Sequence, residues 1–263
     1  MYQFKTEPYE HQKVAFDKSW ERNAYALFME MGTGKTKVAI DTLAALYEAG
    51  QVEAALIIAP KGVYANWVNK EIPQHLPDRI ERKVVLWQPN MTQKFKAEMR
   101  EVALRKDSGC LRIFVMNTEA LSTKKGKDVA SKFLDYIPDS FVFVDESTSI
   151  KNRAAQRTKN IIALGKKAKY RRILTGSPIT KNPMDLFSQC GFLGAQQLGF
   201  DSYYAFQGRY AQLQQRKFGA RSFQQIVGYR NLDELNEKLE RFSHRVLKED
   251  CLDLPDKIYT QRS

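Results

Sequence analysis

The chain has 263 residues, 42 of them Lys or Arg and 30 Asp or Glu, for a formal net charge of +12. The length allows one large α/β domain or two small ones, and the basic excess suits a polyanion such as DNA or RNA held through its phosphates. No apolar run approaches the roughly 18 residues that span a bilayer, the start Met1–Glu10 lacks a signal-peptide pattern, and the scattered Cys110, Cys190 and Cys251 with only three histidines speak against a disulfide framework or a zinc site. A cytoplasmic protein with no membrane partner is expected.

In chain order, Tyr25–Met29 is expected as a strand and Lys35–Tyr47 as a helix. Ala54–Ala59 follows as a strand, Val63–Glu71 as a helix, Lys83–Trp87 as a strand and Thr92–Lys106 as a helix. Then come strand Leu111–Met116, helix Val129–Tyr136, strand Phe141–Val144, helix Ala154–Leu164, strand Arg172–Leu174 and helix Met184–Phe192. Strands made of continuous Val, Ile and Leu runs are covered on both faces, and strict β-then-α alternation implies right-handed crossovers and a mostly parallel sheet. After Gly199 the texture changes. Asp201–Arg230 is rich in Tyr, Phe, Gln and Arg without clean alternation, and Leu232–Phe242 reads as a charged amphipathic helix. The expected division is an α/β domain over 1–199 with an appendage and linker over 200–263.

Directly after the first strand stands Met31-Gly32-Thr33-Gly34-Lys35-Thr36. Glycines let the backbone turn tightly and aim N–H groups at phosphate oxygens, and the helix N-terminus adds partial positive charge. Lys35 reaches the outer phosphates of a bound ATP and the Thr36 hydroxyl suits Mg²⁺. The strict phosphate-loop pattern wants Gly where Met29 stands. Phe141-Val142-Phe143-Val144-Asp145-Glu146 is a buried strand ending in two acids, at the strand end where α/β sheets collect function. Asp145 is expected on the metal and Glu146 on the attacking water; the bland alternative is an acidic cap before the helix near Lys151. Thr175-Gly176-Ser177-Pro178 ends a third strand and can sense the outer phosphate, or serve only as a capped turn.

These elements resemble, in order and spacing, the superfamily-two helicases and most of all their Swi/Snf-like branch. Glu30–Thr36 resembles "DEMGLGKT". Ile57-Ile58-Ala59-Pro60 with Asn66-Trp67 resembles "vcPaSLlsNW". Asp145–Asn152 resembles "DEAHRIKN", and Leu174–Ile179 resembles "LTGTPIQN". Arg245–Asp250 with Leu254-Pro255 is similar to "RRTKEDVLDLPPK", and Pro8-Tyr9 with Gln12 to "LRPYQ". The resemblance covers about 7–260 and implies a RecA-like P-loop domain, the N-terminal lobe of a DNA-dependent ATPase, helicase or duplex translocase. It implies ATP and Mg²⁺ as cofactors, with Gln12 reading adenine beside Gly32, Thr33, Gly34, Lys35 and Thr36. Thr148 stands where the family has a coupling His, and with Thr175, Gly176 and Ser177 forms the implied coupling set. Lys61, Asn66, Trp67, Lys151 and Arg153 are the implied nucleic-acid contacts, within the basic segments Lys61–Lys70, Thr118–Lys127 and Lys151–Arg157; DNA is favoured over RNA. Arg209–Arg230 is either a further contact or a packed aromatic appendage. No arginine-finger motif is present, so a second RecA-like lobe is expected as partner beyond Ser263. The short stretch before Arg245 resembles a compact form from a bacterium or phage, acting in the cytoplasm of that cell or host. The competing functions are a basic nucleic-acid-binding module that binds nucleotide without motor activity, and a kinase, which the Asp-Glu pair disfavours.

Overall fold

Seven parallel strands form the central sheet of the computed structural model, which describes residues 2–104, 109–177, 182–219 and 221–251. They are β1 (Ala24–Met29), β2 (Ala54–Ala59), β3 (Arg82–Leu86), β4 (Leu111–Asn117), β5 (Ser140–Asp145), β6 (Tyr170–Leu174) and, late in the chain, β9 (Ser243–Val246). Their spatial order is β3-β4-β2-β5-β6-β1-β9. The helices are α1 (Glu10–Ser19), α2 (Lys35–Glu48), α3 (Tyr64–Asn66), α4 (Ile72–His75), α5 (Gln93–Leu104), α6 (Lys124–Tyr136), α7 (Gln156–Gly165), α8 (Leu186–Leu193), α9 (Tyr203–Tyr210) and α10 (Leu232–Glu240). Strands β7 (Ala211–Phe218) and β8 (Arg221–Tyr229) form a separate antiparallel hairpin.

The apolar runs explain the layering. Every residue of β2, β4 and β5 is buried, and successive side chains alternate between faces. Ala54, Leu56 and Ile58 join the core beneath α6, α7 and α8, whereas Ala55, Ile57 and Ala59 join the one with α1 and α2. The expected α/β fold with helices on both faces is therefore present. Among the described residues no helix is long and apolar enough to cross a membrane.

Several elements differ from the sequence expectation. The helix expected at Val63–Glu71 is broken into α3, a π-helical turn at Trp67–Glu71, and α4. Pro73 has no N–H for the helical ladder, and the turn ahead of it widens. Helix α1 was not foreseen; its last turn is held by the buried Arg172, whose guanidinium donates to the Ser19 carbonyl and lies 5.1 Å from the Phe141 ring centre. Within 200–251 the chain forms α9, the hairpin and α10, then returns to the sheet as β9 along β1. Phe206, Tyr210, Leu235 and Leu239 sink into the main core. Pro178, Ile179, Leu254 and Pro255, quoted above in motifs, lie outside the described residues.

Candidate nucleotide site and nucleic-acid face

Three neighbouring strands deliver the three motifs to one edge. β5, β6 and β1 are consecutive in the sheet, so Asp145-Glu146, Thr175-Gly176-Ser177 and the Gly32–Thr36 loop leave its carboxyl edge side by side. Glu146, Thr175, Gly176 and Ser177 line a cleft of about 400 Å³ with Glu30, Met31, Lys35, Thr148 and Lys248 on its walls. Gly32 and Gly34 have φ of +88° and +89°, a region that glycine alone enters freely. The loop is braced from α1. The buried Gln12 donates its amide N–H to the Thr33 carbonyl at 3.1 Å and accepts from the Tyr9 N–H at 3.1 Å. A Cβ on Gly34 would meet Gln12 Nε2 at 2.1 Å. One amide hydrogen of Gln12 is left for a base. From the other side Gly176 lies against the loop, where a Cβ would come within 3.2 Å of the Glu30 Cα and the Met31 nitrogen.

The charged groups converge. Lys35 Nζ sits 3.2 Å from Glu146 Oε1 and is nearly buried. Glu146 is in the left-handed region at φ 48°, strain that turns its carboxylate back toward the loop. Asp145 is only 7% exposed. Burial pushes its carboxyl above the usual range, and neighbouring Glu146 adds to this, while the Trp67 hydrogen bond, Lys35 and the Glu146 N–H pull it back. Asp145 Oδ2 accepts from Trp67 Nε1 at 3.1 Å and Oδ1 from the Glu146 N–H at 3.0 Å. Thr36, partly exposed, opens α2 beside Lys35.

Trp67 requires a correction. It was expected on the nucleic-acid face, yet it is 2% exposed and packs on Phe143 at 6.1 Å between ring centres. A buried indole N–H needs an acceptor, and Asp145 supplies it. The other expected contacts, Lys61, Asn66, Lys151 and Arg153, are exposed. They follow β2 and β5, adjacent strands, and so share the carboxyl edge. Lys151 Nζ also lies 3.8 Å from Asp185 Oδ2, and the Arg153 guanidinium lies 4.1 Å from the Tyr203 ring centre and 5.4 Å from that of Tyr204.

Two features escaped the sequence. Lys248 lies over the phosphate loop. Its N–H donates to Glu30 Oε2 at 2.8 Å, and its Cε is 3.4 Å from where a side chain on Gly32 would begin. Its only sequence signal was its place in the stretch Arg245–Asp250. Second, the loop after β5 is stapled to α8: Ser147 Oγ donates to Gln189 Oε1 at 2.7 Å and Ser188 Oγ to the Lys151 carbonyl at 2.6 Å.

Residues 9–262 match the model of the SNF2-related domain family. The chain belongs to that family. It is 31% identical over 236 residues to the Bos taurus DNA annealing helicase and endonuclease ZRANB3, covering 87% of this chain and 20% of that protein. The Homo sapiens protein of the same name is 29% identical over the same length, with the same coverage. The chain thus spans about a fifth of the length of these curated relatives. The Sulfolobus solfataricus SWI2/SNF2 ATPase core in complex with dsDNA superposes with a TM-score of 0.66 at 23% identity, covering 94% of this chain and 46% of that one. That likeness shows the RecA-like fold.

Proposed function

We propose that this chain is the ATP-binding lobe of a DNA-dependent ATPase that moves along nucleic acid, a helicase or duplex translocase, and that it works with a second RecA-like lobe. The observation that carries this is the convergence of Lys35, Glu146 and the Thr175–Ser177 turn in one cleft fed by three adjacent strands, within an SNF2-related domain. Lys35 and the loop N–H groups bind the outer phosphates, and Gln12 faces the base. An arriving phosphate competes with Glu146 for Lys35, which frees the Glu146 carboxylate to orient the attacking water. Thr36 and Asp145 offer one hydroxyl and one carboxylate oxygen, a donor set that suits Mg²⁺ completed by water and phosphate; the ion would neutralise charge on the phosphates. Thr148, Thr175, Gly176 and Ser177 line the cleft next to Glu146 and would pass its occupancy to the nucleic-acid face. That face comprises Lys61, Asn66, Lys151 and Arg153, with DNA preferred because the matched relatives are named for DNA. The short stretch from Ser177 to Arg245 supports a compact bacterial or phage form working in the cytoplasm.

The test is a nucleotide titration with side-by-side variants. Lys35→Ala should lower ATP affinity most and Lys248→Ala less, because two ammonium groups serve the loop. Glu146→Gln should bind normally but abolish the DNA-stimulated turnover seen once a second lobe is supplied, since charge-stabilising arginines contribute on the order of 10³–10⁵ in rate. Equal curves for wild type and Lys35→Ala would overturn the site. Unimpaired DNA-independent turnover in Glu146→Gln would overturn the mechanism. Nucleotide binding with no turnover in any two-lobe form would favour the non-motor binding module.

A further inference from the structure

Hairpin β7–β8 stands apart from the sheet. Residues 212–217 on one strand and 222–225 on the other are all exposed, and no other strand pairs with it among the described residues. A lone two-stranded ribbon is marginally stable in water, so one that projects this far calls for a partner. Its chemistry says which. From Ser202 to Leu232 the sequence has no carboxylate, while Arg209, Arg216, Lys217, Arg221 and Arg230 fall inside that stretch. The cross-strand register stacks Gln214 against Gln225, Gln215 against Gln224, Arg216 against Phe223 and Lys217 against Ser222. Exposed apolar groups are Leu213, Phe223 and Val227. They are set among glutamines and cations and form no continuous apolar face of the kind that cores a stable protein interface.

The root of the ribbon is rigid and well placed. Tyr210, with no exposed surface, donates its hydroxyl to Glu234 Oε1 at 2.9 Å, and the Arg230 N–H donates to the Tyr210 carbonyl at 2.9 Å. The Tyr229 hydroxyl donates to Asn182 Oδ1 at 3.0 Å, in the segment that leads from the Thr-Gly-Ser turn to α8. Helix α9, which runs directly into β7, begins with Tyr203 and Tyr204, the two rings on which Arg153 stacks. The root of the ribbon is thereby linked, through α9, to the basic Lys151–Arg153 loop.

We propose that the β7–β8 ribbon is a second nucleic-acid contact, lying along a groove of a duplex with Arg216 and Lys217 serving phosphates, Phe223 against sugar or base edges, and glutamines along its length as hydrogen-bonding groups. A major groove about 12 Å wide admits a two-stranded ribbon. The inference rests on the motor reading above. It is tested by fluorescence anisotropy with a 20-base-pair duplex across a salt series, using wild type, the double variant Arg216→Ala/Lys217→Ala, and a variant in which residues 214–225 are replaced by Asn-Gly. Nucleotide affinity and circular dichroism serve as folding controls. Both variants should keep nucleotide binding yet bind the duplex roughly tenfold or more weakly, and the double variant's salt slope should be shallower by up to about 1.8, or about 0.9 for each phosphate that is no longer neutralised. Duplex curves that match wild type in both variants would overturn the inference and assign the ribbon to a protein partner or the second lobe, with the motor reading intact. A wild-type chain that binds no duplex at any salt concentration would overturn both.

Discussion

Replacing Trp67 by Phe isolates one bond between the nucleotide site and the core. The variant keeps an aromatic ring against Phe143 but removes the only side-chain donor that reaches Asp145 Oδ2 among the described residues. A hydrogen bond to a charged group contributes roughly 1.5–3 kcal/mol, and the smaller ring leaves a cavity costing about 1–2 kcal/mol more. The total, about 2.5–5 kcal/mol, is a large share of the roughly 5–15 kcal/mol that holds a domain folded. The two parts differ with pH. Burial already raises the Asp145 carboxyl above its ordinary value, and the indole N–H is the leading influence holding it down, so the variant raises it further. At high pH the carboxylate is ionised and the missing donor counts in full; as pH falls through the raised value the group becomes neutral in both proteins, and the penalty shrinks toward the cavity cost. Urea unfolding of both proteins over a pH series carried down through the Asp145 titration measures this. Trp87→Phe is the control: Trp87 packs on Phe95 and Phe114, and its penalty should not vary with pH. If, as proposed, the ionised Asp145 carboxylate takes the Mg²⁺, then Mg²⁺-nucleotide affinity should begin to fall at a higher pH in Trp67→Phe than in wild type. A penalty below about 1 kcal/mol, or one as flat in pH as that of Trp87→Phe, would refute the reasoning, since a bond to a charged group cannot be that weak or that insensitive to ionisation.

Gly34→Ala should cost about 2–5 kcal/mol, from a left-handed φ at about 1–2 kcal/mol and the displacement of a buried Gln12 bond at about 1–3 kcal/mol, and should weaken nucleotide binding more than tenfold; Gly50→Ala, with a φ of +66° but nothing within 4 Å, should cost only the first part. Equal losses in urea unfolding would show that Gln12 does not brace the loop. Asp41 gives a pH signature away from the site: burial raises its carboxyl from 3.8 to about 6, despite Lys37 Nζ at 2.7 Å and the Tyr2 hydroxyl at 3.3 Å. The folded state therefore holds a proton that the unfolded chain has released, so stability falls as pH rises from about 4 to 6 and levels off above. Asp41→Asn should remove this component of the slope, and an unchanged slope in the unfolding midpoints would exclude Asp41 as its source.

The phosphate loop and the acid pair were legible because their chemistry is local: two glycines at positive φ, a lysine and a strand ending in carboxylates can be read from adjacent residues. The sheet was legible because β2, β4 and β5 are continuous apolar runs buried on both faces. What the sequence hid was set over long distances. The orientation of Trp67 is decided by a π-helical turn and a carboxylate 78 residues away, and nothing in Asn66-Trp67 distinguishes an inward from an outward indole. β9 carries a single buried residue in four, since it is an edge strand with β1 as its one partner among the described residues, and so it has no apolar period. Gln- and Arg-rich β7 and β8 have polar residues on both faces, which leaves no alternation to detect. Lys248 is one of 42 basic residues, marked out only by the carboxylate of Glu30 that anchors its backbone.

On the proposed reading, these long-range contacts explain how one lobe would join two sites. β5 is shared: on one side of it lie β6 and β1 with the nucleotide loops, on the other β2 with Lys61 and Asn66. Glu146 sits at the junction, held in a conformation that costs of order 1–3 kcal/mol and paired with the lysine that phosphate would claim. The next residues do not dangle. Ser147 and the Lys151 carbonyl are bonded to Gln189 and Ser188 on α8, and Arg153 is stacked on α9. A change at Glu146 is therefore not absorbed by a soft loop, because the segment that would absorb it is fixed at three points to packed helices, and such helices shift as bodies. The hydroxyl at Thr148, where the family carries His, is compatible with this: the buried Ser147–Gln189 bond already ties the acid motif to α8, so the connection does not depend on an imidazole at the following position.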